Sequence, residues 1–124
     1  MPGKTILCVE DEELLSDALN DKLTRSGFTV HIGKNGVEGL SLAQSIHPDC
    51  IILDIIMPKM HGMEMLKRLR AESWGATLPV LILSNLSAQP DIEESKRYHV
   101  HEFIIKAHCP LDDLVKKINA LFET

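Results

Sequence analysis

Four short apolar runs constrain this chain more than any other feature, because each breaks off at a residue with chemistry to offer. Val9 runs into Glu10 and Asp11, Leu53 into Asp54, Leu83 into Ser84, and Ile105 into Lys106. Runs of this length suit buried strands, and the segments between them repeat their apolar residues at helical spacing. After Thr5–Val9, a stripe of Leu14, Leu15, Ala18, Leu19 and Leu23 ends at Gly27. Val30 and Ile32 alternate with His31 and Gly33, the period of a half-exposed edge strand, and Val37, Leu40, Ala43 and Ile46 follow as a second stripe. Cys50–Leu53 reads as a third strand, and the loop from Pro58 to Gly62 leads into a helix that turns Leu66 and Leu69 inward. Val80–Leu83 makes a fourth. The stretch from Ser87 to Tyr98 has only Ile92 as a strong aliphatic anchor, with Pro90 in its first turn, so this helix is expected to be the least firmly held. Phe103–Ile105 is the fifth strand. Leu111, Leu114, Val115, Ile118, Leu121 and Phe122 then give the clearest amphipathic helix, opening at Pro110.

Alternating strand and helix units predict an α/β fold, a parallel sheet covered on both faces. In such sheets ligands bind at the carboxyl ends of the strands, which brings Glu10, Asp11, Asp54, Ser84 and Lys106 to one spot. Crowded carboxylates repel one another unless a cation sits among them, and hard oxygen ligands suit Mg²⁺. A carboxylate-rich pocket with one lysine suits a phosphoryl group better than a closed structural metal cage. Lys106 offers the opposing charge and Ser84 a hydrogen bond.

At 124 residues the chain is expected to form one domain over 1–124 around one core. Its net charge of −5 argues against direct nucleic-acid binding, which runs on neutralising phosphates with Lys and Arg. No apolar run approaches the ~20 residues needed to span a bilayer, and the segment Met1 to Glu12 lacks a signal-peptide pattern. The expectation is a cytoplasmic protein without membrane contact. Cys8 and Cys50 sit inside apolar runs as buried thiols and Cys109 stands alone in a loop, a scattered set that fits a reducing compartment.

With these residues in view, the chain resembles a two-component response-regulator receiver domain of the single-domain chemotaxis-regulator type, over residues 4–122. Ile6-Leu7-Cys8-Val9-Glu10-Asp11-Glu12 is similar to the family's first strand and acidic pair. Asp54-Ile55-Ile56-Met57-Pro58 with Gly62 is similar to its phosphoacceptor loop, Ser84 to its hydroxyl position and Lys106 to its lysine. The resemblance implies a doubly wound, flavodoxin-like (βα)5 fold with strand order 2-1-3-4-5. It implies that Asp54 accepts a phosphoryl group from a phosphohistidine on a sensor histidine kinase or histidine phosphotransfer protein. Carried over by position, Asp11 and Asp54 would bind Mg²⁺ through carboxylates, Ile56 through its backbone carbonyl, and Glu10 directly or through water. Lys106 and Ser84 would hold the phosphoryl oxygens. The implied switch draws Ser84 toward the phosphoryl group while Phe103 turns inward; a permanently buried core ring is the other reading of Phe103. Output would run through the face of helix four, strand five and helix five to a downstream protein effector, with Lys96, Arg97, Tyr98 and His101 as candidate contacts, from a monomer or a phosphorylation-dependent dimer. Such a domain is no enzyme beyond its own phosphotransfer and autodephosphorylation.

Several positions depart from the family's usual residues. Glu10 stands where Asp is frequent, Ala107 where proline commonly follows the lysine, Asn85 where Ala or Gly is usual, and His99 where glycine often ends the fourth helix. Histidine tolerates the left-handed geometry of that place better than most residues. Ile56 and Leu86 are apolar at positions that tune phosphoryl lifetime, and neither side chain can orient a water, which predicts a long-lived acyl phosphate.

Other readings compete. Glu12, Leu14 and Leu15 lie near the acidic pocket and are candidate kinase contacts, the leucines being equally explained by core packing. His99 and His101 precede strand five while His108 and Cys109 follow it, which disfavours one shared zinc. Asp91, Glu93, Glu94, Lys96 and Arg97 suit an exposed helix with local charge pairs. A Mg²⁺-dependent aspartyl-phosphate phosphatase also uses a strand-end Asp, but the haloacid-dehalogenase-like type needs a second Asp two residues on, where this chain has Ile56. A receiver-like module that binds partners without cycling is a third reading.

Overall fold

The computed structural model describes residues 3–55, 60–84, 89–106 and 109–122, with Ser84 and residues 89–92 described in backbone only. Strands form at Thr5–Val9 (β1), Thr29–Gly33 (β2), Cys50–Leu53 (β3), Val80–Ser84 (β4) and Glu102–Ile105 (β5). Helices form at Glu13–Arg25 (α1), Gly36–Ile46 (α2), Gly62–Ala71 (α3), Gln89–Lys96 (α4) and Leu111–Leu121 (α5). All four strand pairings are parallel, in the order β2-β1-β3-β4-β5, the order the resemblance implied.

β1 and β3 are buried almost end to end while β2 is half-exposed, as edge and interior strands should be. Successive residues alternate between the two faces of the sheet. Leu7, Val9, Ile51, Leu53, Val80 and Ile82 pack with Met63, Met65, Leu66 and Leu69 of α3. Ile6, Cys8, Cys50, Ile52, Leu81 and Leu83 pack with Leu19 and Leu23 of α1 and Leu114 and Ile118 of α5. Burial pushes the Cys8 and Cys50 thiols well above the ordinary thiol pKa, so both stay protonated packing groups.

Gly27, at φ 100°, ends α1 in the left-handed turn that glycine adopts without steric penalty. The Phe28 N–H donates to Leu23 O at 3.1 Å and the Gly27 N–H to Thr24 O at 3.0 Å, while Phe28 and Leu23 share one core cluster. These are the paired bonds and the apolar contact of a Schellman cap.

Two expected core residues point outward. Leu14 is 88% exposed and Val37 51% exposed. At about 100° per residue, Leu14 lies about 180° around α1 from the buried Leu23. The buried stripe of α2 is instead Gly36, Gly39 and Ala43. A Cβ on Gly39 would meet Val9 Cγ1 at 2.8 Å, and one on Gly36 would run into Met60 O, so α2 seats its backbone directly against β1 and the end of the β3–α3 loop.

At the opposite end of the sheet from the acidic residues, Arg70 ties two connections together. Its Nε donates to Tyr98 O at 2.7 Å, one Nη to Gly75 O and Leu78 O at 2.7 Å each, and the other Nη to His99 O at 3.2 Å. His99 takes the left-handed conformation, φ 57°, that the sequence assigned to it. Arg70→Ala is expected to cost about 3 kcal/mol in urea unfolding, because charge-assisted hydrogen bonds are lost and carbonyls are left unpaired. Arg70→Lys should recover less than half, since an ammonium has no planar fork to span four carbonyls.

Candidate functional site

The register sets the site. Val9 pairs with Leu53, so Glu10 and Asp54 emerge side by side, and Ser84 pairs with Ile105, so Lys106 emerges one residue beyond. The Glu10 N–H continues the ladder by donating to Gly33 O at 2.9 Å, and the Asp54 N–H donates to Val9 O at 2.9 Å. These bonds hold the two acidic residues to strand geometry after the strands end.

Lys106 Nζ lies 2.9 Å from Glu10 Oε1, 3.0 Å from Glu12 Oε1 and 3.4 Å from Asp54 Oδ2. The side chains of Lys106, Asp54 and Glu10 are 9%, 6% and 3% exposed, while that of Glu12 is 54% exposed. Glu10 Oε2 also accepts from the Glu12 N–H at 3.0 Å. Three carboxylates thus surround one ammonium, an excess of negative charge in a largely buried place.

The titration of these groups reflects that excess. Burial, with a smaller push from the Asp54 charge, raises the Glu10 carboxyl to about 7 against the opposing pull of its hydrogen bonds to Lys106 and the Glu12 N–H. Burial alone would lower the Lys106 pKa. Its hydrogen bonds to Glu10 and Glu12 and the nearby Asp54 charge outweigh burial and hold it above the ordinary lysine range.

Among the described residues, Glu10, Glu12 and Asp54 bring carboxylate oxygens within 4.8 Å of one another, a spacing able to hold a metal ion. The donor set is all hard oxygen and carries uncompensated charge, which fits Mg²⁺.

Glu10, Asp54 and Lys106 therefore meet as the sequence predicts. Asp11 does not join them: it is exposed and outside the close carboxylate group. The Ser84 backbone ends β4 at the same edge of the sheet, while its side chain, Ile56, Asn85, Leu86, Ala107 and His108 lie outside the described residues. Phe103 is half-buried against the face covered by α3. His99 and His101 precede β5 and Cys109 follows it, at opposite ends of the strand. Glu12 is the residue that sequence reasoning placed near the pocket without seeing its partner. The only signal was its position two residues beyond Glu10, with a side chain long enough to return to the pocket.

Gly62 packs against the backbone of Asp54 and Ile55. Its N–H donates to Ile55 O at 2.7 Å, and a Cβ there would meet Asp54 O at 2.5 Å and Ile55 Cα at 2.6 Å. Both obstacles are backbone, so Gly62→Ala is expected to destabilise the protein by about 1–3 kcal/mol, the scale of overpacking, in urea unfolding.

Comparisons with known proteins converge. The sequence is 35% identical over 112 residues to the Regulator of RpoS of Escherichia coli, covering 90% of this chain and 32% of the relative. It is 38% identical over 79 residues to the response regulator MprA of Mycobacterium ulcerans, covering 64% of this chain and 33% of the relative. The chain thus spans about a third of the length of these curated relatives. The fold superimposes on the chemotaxis protein CheY4 of Vibrio cholerae with a TM-score of 0.88, 26% identity, and coverage of 96% of this chain and 98% of that one. A CheY-like receiver domain protein from Methanospirillum hungatei shares the fold with a TM-score of 0.89 at 23% identity, covering 95% of this chain and 92% of that one. The sequence pattern of the response regulator receiver domain matches residues 6–119, the span that carries the sheet, both core faces and the acid and lysine cluster. By sequence, fold and the residues gathered at its strand ends, the chain belongs to the response regulator receiver domain family.

Proposed function

We propose that this receiver takes a phosphoryl group onto Asp54 from a phosphohistidine on a sensor histidine kinase or histidine phosphotransfer protein. The observation that carries the reading is the approach of Lys106 Nζ to Asp54 Oδ2 at 3.4 Å, across 52 residues of sequence and with both side chains buried. In the transfer, an Asp54 carboxylate oxygen bonds to phosphorus as the P–N bond to the donor imidazole breaks. The imidazole nitrogen keeps the electron pair of that bond and takes a proton from water. Such transfer depends on positioning and charge neutralisation more than on covalent assistance. Lys106 contributes a fixed positive charge beside the phosphoryl oxygens, and Ser84 a hydroxyl.

Mg²⁺ would be held by Glu10 and Asp54, with Asp11 turning inward from the surface and the Ile56 carbonyl completing the protein ligands. When bound, it neutralises negative charge shared between the carboxylates and the phosphoryl oxygens. Receivers are signalling domains, and the chemistry assigned to this one is its own phosphorylation and hydrolysis. The signal would leave through the α4, β5 and α5 face, where Phe103 responds by packing and Lys96, Arg97 and His101 are exposed to a protein effector. Among the described residues no helix is long and apolar enough to cross a membrane.

The test is intact mass after incubation with Mg²⁺ and a small acyl-phosphate donor. One added phosphoryl group, removed by neutral hydroxylamine as acyl phosphates are, is expected. A hydroxylamine-resistant adduct, or none, would overturn the reading. With Ile56 and Leu86 apolar, the adduct is expected to outlast minutes after donor removal; decay within seconds would contradict that part.

A further inference from the structure

Every donor of Lys106 is already engaged. An ammonium carries three N–H donors, and Nζ has three carboxylate partners, Glu10 at 2.9 Å, Glu12 at 3.0 Å and Asp54 at 3.4 Å. A phosphoryl oxygen held by Lys106 has to displace one of them. They are not equally easy to move. Glu10 is 3% exposed and anchored a second time by the Glu12 N–H, and Asp54, 6% exposed, is itself the acceptor. The Glu12 side chain is 54% exposed, so water can take over its carboxylate, and exposed ion pairs hold weakly.

The backbone around Glu12 points the same way. Glu12 is the N-cap residue of α1, with extended angles of φ −78° and ψ 108°, yet its side chain makes no capping hydrogen bond. N-cap side chains of suitable length accept from the N–H of the second or third helical residue. This carboxylate instead leaves its helix and reaches Lys106, 94 residues away in sequence.

We propose that Glu12 is a displaceable latch on the phosphoryl pocket. In the unphosphorylated protein its carboxylate occupies the Lys106 donor that a phosphoryl oxygen takes, and it swings into solvent when the phosphoryl group arrives. The inference rests on the Asp54 reading above. Glu12 is then a positioning residue: it sets how much anionic donor is needed to fill the pocket, not how fast the filled pocket reacts.

Two variants test this. Glu12→Gln removes the charge. Glu12→Asp keeps the charge, but its shorter side chain is suited to cap α1, which draws the carboxylate off Lys106. Two quantities are measured in saturating Mg²⁺: the half-saturating concentration and limiting rate for a small acyl-phosphate donor, and, with no transfer involved, the dissociation constant for beryllofluoride as a stable phosphoryl mimic. Both variants are expected to lower the half-saturation and the dissociation constant by up to about fivefold, the upper range for an exposed ion pair, with the limiting rate unchanged. An effect in Glu12→Gln alone would reveal general charge repulsion and overturn the latch. Unchanged or weakened binding in both variants would also overturn it, the latter pointing to a metal ligand. If the wild type gains no phosphoryl group, the Asp54 reading fails and the latch with it; if the wild type gains it at the same half-saturation as the variants, the latch alone fails.

Discussion

Asp54→Asn is expected to lower phosphoryl incorporation by at least about a hundredfold, or ~2.7 kcal/mol in barrier, while leaving the fold intact. The two outcomes have separate causes. Asparagine has nearly the same shape as aspartate and keeps an oxygen facing Lys106, but an amide is a far poorer nucleophile toward phosphorus than a carboxylate. Meanwhile the variant removes one of three carboxylates gathered around a single ammonium, and the Asp54 charge is among the causes that raise Glu10. Lys106 keeps Glu10 at 2.9 Å and Glu12 at 3.0 Å. The urea midpoint of Asp54→Asn should therefore equal or exceed that of the wild type, with Glu10 titrating at lower pH. Loss of incorporation together with loss of cooperative unfolding would mean that Asp54 is structural. Incorporation at the wild-type rate would place the phosphoryl group elsewhere.

The second large effect is the dependence of Mg²⁺ binding on pH. Glu10 has its proton half removed only at about 7, and a carboxyl must lose that proton to ligate a cation. Apparent Mg²⁺ affinity measured by calorimetry should rise by up to about tenfold per pH unit below that value and level off above it. The same group sets a stability trend of opposite sign. Its pKa is raised in the folded protein, from 4.5 to about 7, so the folded state binds the proton more tightly than the unfolded state does. The stability this contributes is fully present below 4.5 and is lost as pH rises through 7. Without metal, Glu10→Gln should gain about 1–3 kcal/mol relative to wild type between about pH 5 and about pH 8, and saturating Mg²⁺ should close that gap. A pH-independent difference between the two proteins would contradict the assignment of the excess charge to Glu10.

Much of this was legible in the sequence because interior parallel strands are buried on both faces and so read as unbroken apolar runs. Glu10, Asp54 and Lys106 stand where such runs break off, and the fold brings strand ends together whatever lies between them. Strand order is a different kind of information. The apolar runs of β1 and β3 do not encode that β1 pairs with β2 on one side and β3 on the other, and the order came from the family resemblance. The α2 stripe is legible only in part: Ala43 is buried and Leu40 packs against the core, but Gly36 and Gly39, buried by close backbone approach, carry no hydropathy signal, and Val37, the apparent start of the stripe, faces water. Leu14 fits the helical spacing yet faces water, because spacing within a helix marks a face only together with its neighbours, and Leu14 lies opposite Leu23. Glu12 reaches Lys106 while Asp11 faces solvent, since a side chain's reach depends on where the strand stops and the cap begins, a difference of one residue that hydropathy does not register.

The most direct test of the central claim is to locate the phosphoryl group after transfer from a phosphohistidine donor, by trapping the acyl phosphate with borohydride and sequencing the peptides by mass. Label on Asp54 that requires Mg²⁺ is the predicted result. Label on a serine, a histidine or another carboxylate, or none with a donor that phosphorylates other receivers, would contradict the account.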